Sequence, residues 1–108
     1  MGEVTIDQFN LLDLRIGVVL EAERISTSKK LLKLKVDVGD EVREIVAGGA
    51  EYYDPSYFVG KRLVVLVNLK PKRIAGVESK GMLLAADVNG KPIWLTVDGD
   101  APPGSKVR

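Results

Sequence analysis

The chain has 108 residues, 45% apolar and 29% charged, and its 16 basic side chains nearly balance 15 acidic ones. A chain of that length makes one small domain, residues 1–108, that hides about two thirds of its unfolded surface, so dimerisation is a ready way to gain burial. It contains neither histidine nor cysteine, which excludes a Ser-His-Asp triad, a Cys-His pair, disulfides and ordinary zinc sites.

Thr5-Ile6-Asp7-Gln8 has the pattern of a capping box, with Thr5 as N-cap and Gln8 three residues on. Ile6, Phe9 and Leu12 then share a helical face, which predicts a short helix over 6–12. LRIGVVLEAE (14–23) reads as a first strand in which Gly17 marks a bulge or a close approach. LLKLKVDV (31–38) alternates, with Leu32, Leu34 and Val36 on one face and Lys33, Lys35 and Asp37 on the other. GDE (39–41) turns the chain into VREIVA (42–47) and completes a hairpin. Pro55 and Gly60 bracket a short helix or turn within 50–61. RLVVLVN (62–68) is nearly continuously apolar and predicts a fully buried strand, and MLLAADV (82–88) matches it. NGKP (89–92) is a hairpin signal leading into IWLTV (93–97). Turn residues fill the tail until Val107. Five or so strands with short helices and terminal extensions suit an all-β, five-stranded OB-fold barrel more than a sandwich.

Nothing in this pattern favours catalysis. The acids are scattered, and neither GxxxxGK[ST] nor GxGxxG occurs. Gly48-Gly49 follows an apolar strand, but no helix opens after it to receive a phosphate. The expected function is binding, with no enzyme activity, metal or cofactor. The N-terminus lacks a basic patch followed by an apolar run, and no apolar stretch approaches the roughly 20 residues of a membrane helix. Together with the absence of cysteine, this fits a cytoplasmic protein with no membrane partner.

Charge is segregated along the chain. Arg24, Lys29, Lys30, Lys33 and Lys35 fall between 24 and 36 with no acid among them. NLKPKRIAGVESKG (68–81) separates two apolar runs and sets Lys70, Lys72, Arg73 and Lys80 against Glu78 alone. Acids gather elsewhere, at Glu21 and Glu23, Glu51 and Asp54, and Asp98 and Asp100. If the two basic segments meet at one end of a barrel, they make a positive face on a near-neutral body, suited to a phosphate backbone. Either run alone is equally the solvated side of an amphipathic strand.

NLKPKRIAGVESKGMLLAA resembles the signature of the tRNA-binding domain found at the C-terminus of many methionyl-tRNA synthetases. The same domain occurs as a stand-alone tRNA-binding protein, in Arc1p and in the endothelial-monocyte-activating polypeptide family. The likeness extends to DLRIGVVLEAE, KVDVGDEVREIVAGGAEYY and the closing GSKVR. It implies an OB-fold homodimer that binds tRNA by shape without catalysis of its own. A chain running from MGEVTIDQF to GSKVR resembles the stand-alone version, or a separately encoded beta subunit partnering a methionyl-tRNA synthetase catalytic subunit. A related barrel, the CsaA chaperone, implies peptide binding instead. GVESKGMLLAA is similar to the tRNA-binding branch through Ser79 and Gly81-Met82. One stretch departs: the family usually reads close to HPxADKL where this chain has Ile25-Ser26-Thr27-Ser28-Lys29-Lys30-Leu31.

The basic runs and the resemblance together give ten tRNA-binding candidates: Lys29, Lys30, Lys33, Lys35, Asn68, Lys70, Lys72, Arg73, Ser79 and Met82. Lys72 and Arg73 suit phosphates, Arg73 also by stacking or a bidentate grip. Ser79 suits a phosphate or a 2′-hydroxyl, and Met82 an apolar contact to a base. Each has a structural alternative: Asn68 closing a turn, Ser79 bonding its own loop, Met82 beginning the core of its strand. Aromatics are few, at 6%, which argues against a surface reading sequence by stacking. Tyr52, Tyr53, Tyr57 and Trp94 suit packing equally well. The face Ile6, Phe9 and Leu12 and the C-terminal tail are the expected dimer interface.

Overall fold

Two kinds of apolar pattern set the strands of the computed structural model, which describes residues 2–108. In chain order these are β1 (Leu14–Arg24), β2 (Leu32–Asp37), β3 (Val42–Ala47), β4 (Arg62–Leu66), β5 (Lys72–Ile74), β6 (Val77–Ser79), β7 (Met82–Leu83), β8 (Ala85–Val88), β9 (Lys91–Trp94) and β10 (Lys106–Val107). The main sheet is antiparallel in the order β3-β2-β1-β4-β7, with β10 on the start of β1. It curls until the chain after β6 reaches β3, where the Lys80 N–H donates to the Glu44 carbonyl at 2.9 Å. The result is a nearly closed five-stranded barrel of OB-fold type, the expected class.

Alternation in β2 turns Leu32, Leu34 and Val36 into a core shared with Val19, Ile45, Leu63, Val65 and Phe58. Burying each such side chain stabilises the fold by about 1.5–3 kcal/mol. The continuous run in β4 has a different cause. Val64 and Leu66 face outward with Leu14 and Ile16 into a second cluster, roofed by Phe9, Leu84, Val97 and Val107. The terminal extensions therefore bury the far face of β1 and β4, and both faces of β4 need apolar residues. Gly17 is a close-approach point: a Cβ there would lie 2.5 Å from Val36 Cγ1 and 2.8 Å from Val65 Cγ2. The irregularity in the β1–β2 register falls later, between Val19 and Glu21.

Three sequence expectations need correction. The capping box forms, with Gln8 N–H on Thr5 Oγ1 at 3.1 Å and Thr5 N–H on Gln8 Oε1 at 2.8 Å. The helix α1 nevertheless spans only Ile6–Phe9, ending at Asn10, and Ile6 and Leu12 stay exposed while Phe9 alone packs inward. MLLAADV is not one buried strand. It breaks at Leu84 into β7, on the barrel, and β8, wholly exposed and paired with β9 across an Asn89-Gly90 turn. The strand expected at IWLTV (93–97) falls earlier, as β9 over Lys91–Trp94, and the 68–81 connector holds the β5–β6 hairpin. A 3-10 turn, Pro55–Tyr57, fills the predicted place between β3 and β4, capped by Asp54. No helix among the described residues is long and apolar enough to cross a membrane.

Candidate nucleic-acid interface

The β5–β6 hairpin turns through Ala75 and Gly76, both at positive φ (50° and 82°), the backbone of a tight two-residue hairpin. Its registers are Lys72 with Ser79, Arg73 with Glu78 and Ile74 with Val77. Lys70, Lys72 and Arg73 are exposed, and none stands within ion-pair distance of an acid among the described residues. Glu78, although opposite Arg73, pairs with Lys80 at 3.8 Å. At its base the hairpin is held from two sides. Ser79 is 5% exposed; its hydroxyl accepts from Val46 N–H (2.9 Å) and donates to the Gly81 carbonyl (3.1 Å). Arg43, on β3, donates through Nη1 to the Val67 carbonyl and, more loosely at 3.5 Å, to that of Lys80, while its Nε grips Glu41 at 2.8 Å. Val67 and Lys80 flank the excursion, so one guanidinium joins its two ends.

The sequence candidates divide accordingly. Ser79 is not presented to solvent as a ligand donor: burial and two hydrogen bonds make it a seam between β6 and β3. Asn68 is exposed but engaged, accepting from Asp13 N–H at 2.8 Å and donating to the Leu11 carbonyl at 2.7 Å. It tethers the N-terminal segment to the exit of β4. Met82, whose alternative was a core position, is 43% exposed beside the hairpin base. Gly81 before it has φ 136°, and a Cβ there would lie 3.0 Å from the Leu66 carbonyl, which explains the glycine. Arg43 was missed, because an Arg on the outward face of an amphipathic strand carries no sequence signal of what it reaches.

Lys33 and Lys35 do not extend the positive face. Glu23 and Glu44 flank Lys33 at 2.9 and 3.7 Å, and Glu21 meets Lys35 at 3.2 Å. The expected segregation of acids fails because antiparallel pairing sets Glu21 opposite Lys35 and Glu23 opposite Lys33. The hydrogen bond to Glu23 raises the pKa of the Lys33 amine above its ordinary value, and that of the Glu23 carboxyl is lowered in return. Lys29 and Lys30, in the β1–β2 loop, are exposed without such partners. The Lys30 carbonyl accepts from Ala50 N–H at 3.1 Å. The start of the same loop reaches the hairpin: Ile25 and Ser26, with Glu23 and Arg24 of β1 and Lys33 of β2, line one shallow pocket with Val77 of β6. The cations of the two basic segments with no carboxylate within 4.0 Å among the described residues are Lys29, Lys30, Lys70, Lys72 and Arg73.

Residues 14–106 match the family described as "Putative tRNA binding domain". The chain belongs to this tRNA-binding domain family. It is 52% identical over 105 residues to the methionine–tRNA ligase of Archaeoglobus fulgidus, a match covering 97% of the chain and 16% of that protein. The chain thus spans about one sixth of the length of such ligases. Among solved structures, a MetRS related protein from Pyrococcus horikoshii superposes with a TM-score of 0.94 at 41% identity, covering all of both chains. The chaperone CsaA of Bacillus anthracis superposes at 0.89 with 29% identity, covering 99% of this chain and all of its own. In this tRNA-binding domain the hairpin residues that carried the resemblance, Ser79 and Gly81, shape the base of the arm, and its cations face out.

Proposed function

We propose that the chain binds tRNA by electrostatic capture and shape at the hairpin end of the barrel, raising tRNA capture by a methionyl-tRNA synthetase. The observation that carries this reading is the group of exposed cations without acid partners among the described residues, Lys72 and Arg73 on the hairpin, Lys70 just before it, and Lys29 and Lys30 in the β1–β2 loop. Phosphates answer to such a local patch whatever the net charge. The chain acts as a stand-alone tRNA-binding protein or a beta subunit of the synthetase, as a homodimer in the cytoplasm, and contributes no catalysis. Met82, exposed at the hairpin base, offers an apolar contact to a base. Likeness to the synthetases supports the tRNA partner, and the cations supply the means.

Charge reversal tests it. Lys72→Glu with Arg73→Glu should reduce tRNA affinity at low salt at least tenfold; unchanged affinity would remove the hairpin from the site. The structural likeness to CsaA supports a second reading, a peptide-binding chaperone. That reading requires suppression of client aggregation and indifference to tRNA.

A further inference from the structure

Seven of the 16 cations stand within 4.0 Å of a carboxylate among the described residues. Of the others, two lie outside the hairpin end and against aromatic rings. Lys61 Nζ sits 4.2 Å from the Tyr57 ring centroid, and Lys91 Nζ lies 5.6 Å from that of Tyr53 and 5.9 Å from that of Tyr52. The rings differ in what they do. Tyr53 is structural, donating its hydroxyl to the Pro92 carbonyl at 2.7 Å and packing on Phe58 and Trp94. Tyr57 has Lys61 and Tyr53 against it. Tyr52 is 51% exposed and packs on no other aromatic ring, so it can accept a planar partner.

Next to Lys91, Gly90 and Pro92 join Gly48, Gly49, Ala85 and Asp87 around an open hollow of about 260 Å³, smaller than a drug-sized pocket. Small side chains leave this ground low and flat. The segment carrying Tyr52 is tied to the β1–β2 loop, because Ala50 N–H bonds the carbonyl of Lys30. Three acids lie nearby. Asp54 is occupied by Arg24 and by the backbone and hydroxyl of Ser56, and Asp87 accepts from Gly90 N–H. Glu51, next to Tyr52 in the chain, is exposed.

We propose that Tyr52, with Lys91 beside it and Lys61 over the ring of Tyr57, forms a second RNA-contact surface that stacks an unpaired nucleotide of the RNA held by the hairpin. This rests on the tRNA-binding reading and adds a base contact to a phosphate one. A single exposed ring suits stacking without sequence readout, since every base has a π-face.

Trp94, the only tryptophan, lies 6.0 Å from Tyr53, and its fluorescence reports on this surface. The experiment titrates wild type, Tyr52→Ala, Tyr52→Phe and the Lys61→Gln/Lys91→Gln pair with an oligoadenylate of about eight nucleotides and with bulk tRNA. Circular dichroism checks each variant's fold. Tyr52→Ala should weaken both ligands at least fivefold with an unchanged salt slope, while Tyr52→Phe keeps wild-type affinity. The lysine pair should lower the slope by about one unit for each phosphate that the two amines neutralise. Wild-type affinity in Tyr52→Ala would overturn the inference, as would a Trp94 response to an unfolded peptide but not to oligoadenylate. Were wild type itself to ignore tRNA, the tRNA-binding reading would fail first.

Discussion

Lys72 and Lys35 show that a lysine's worth to a phosphate depends on what stands beside it. Lys35 meets Glu21 at 3.2 Å, whereas no carboxylate among the described residues lies within 4.0 Å of Lys72. A tRNA phosphate must displace the first pair but meets the second cation free. Lys72→Gln should therefore lower the slope of log K against log salt by about one unit, and Lys35→Gln by clearly less. Ser79 acts at the same scale through burial. Ser79→Ala leaves Val46 N–H without its acceptor inside the fold and should destabilise by about 1–3 kcal/mol, read from the urea midpoint. Asp13 links stability to pH. Its two carboxylate oxygens take the Arg15 guanidinium at 3.0 Å each. That hydrogen bond, with the charges of Arg15 and Lys106, holds its pKa below the ordinary 3.8. The folded state thus binds the proton less readily than the unfolded chain. The stabilisation is fully present above about pH 5 and is lost as pH falls through the folded value. Asp13→Asn should cost more stability at pH 7 than at acid pH, in paired urea titrations.

At the scale of elements, the hairpin is an arm fixed at its base. Arg43 ties Val67 to Lys80 without facing the ligand. Arg43→Met should loosen β5 and β6, speed their amide exchange and weaken tRNA binding several-fold with the salt slope unchanged. A fallen slope would make Arg43 a phosphate contact instead. At the tip, Ala75 occupies a left-handed conformation that costs an L residue about 1–2 kcal/mol and suits asparagine better. Ala75→Asn should raise the urea midpoint.

The same elements show what could be read in advance. β2 and β4 were legible because their apolar residues keep a strand pattern over several positions. The hairpin at 72–79 was not. Three-residue strands of mixed charge have no periodicity to detect, and Ala-Gly lacks the Asn-Gly signal that marked the β8–β9 turn correctly. Leu84 concealed the break in MLLAADV, since an apolar residue looks alike whether it ends a barrel strand or roofs a second cluster. Among site residues, the exposed cations Lys70, Lys72 and Arg73 could be found locally. The neutralisation of Lys33 and Lys35 depended on strand pairing, and the burial of Ser79 on barrel closure.

The whole molecule leaves apolar side chains uncovered at both extensions. Val4, Ile6 and Leu11 are each at least 70% exposed, and Val88, Ile93 and Leu95 are uncovered on the β8–β9 side. Such surfaces fit the proposed homodimer. Sedimentation equilibrium should find a dimer that Ile6→Asp with Leu11→Asp converts to monomer; a monomeric wild type would discard it. This small barrel, near neutral overall, is proposed to select folded RNA through one cationic end. The most direct measurement of this is binding of bulk tRNA against single-stranded DNA of equal length across a salt series. Preference for tRNA at moderate salt, with steep salt dependence, is the predicted result. Equal affinity for the two at every salt concentration would contradict it.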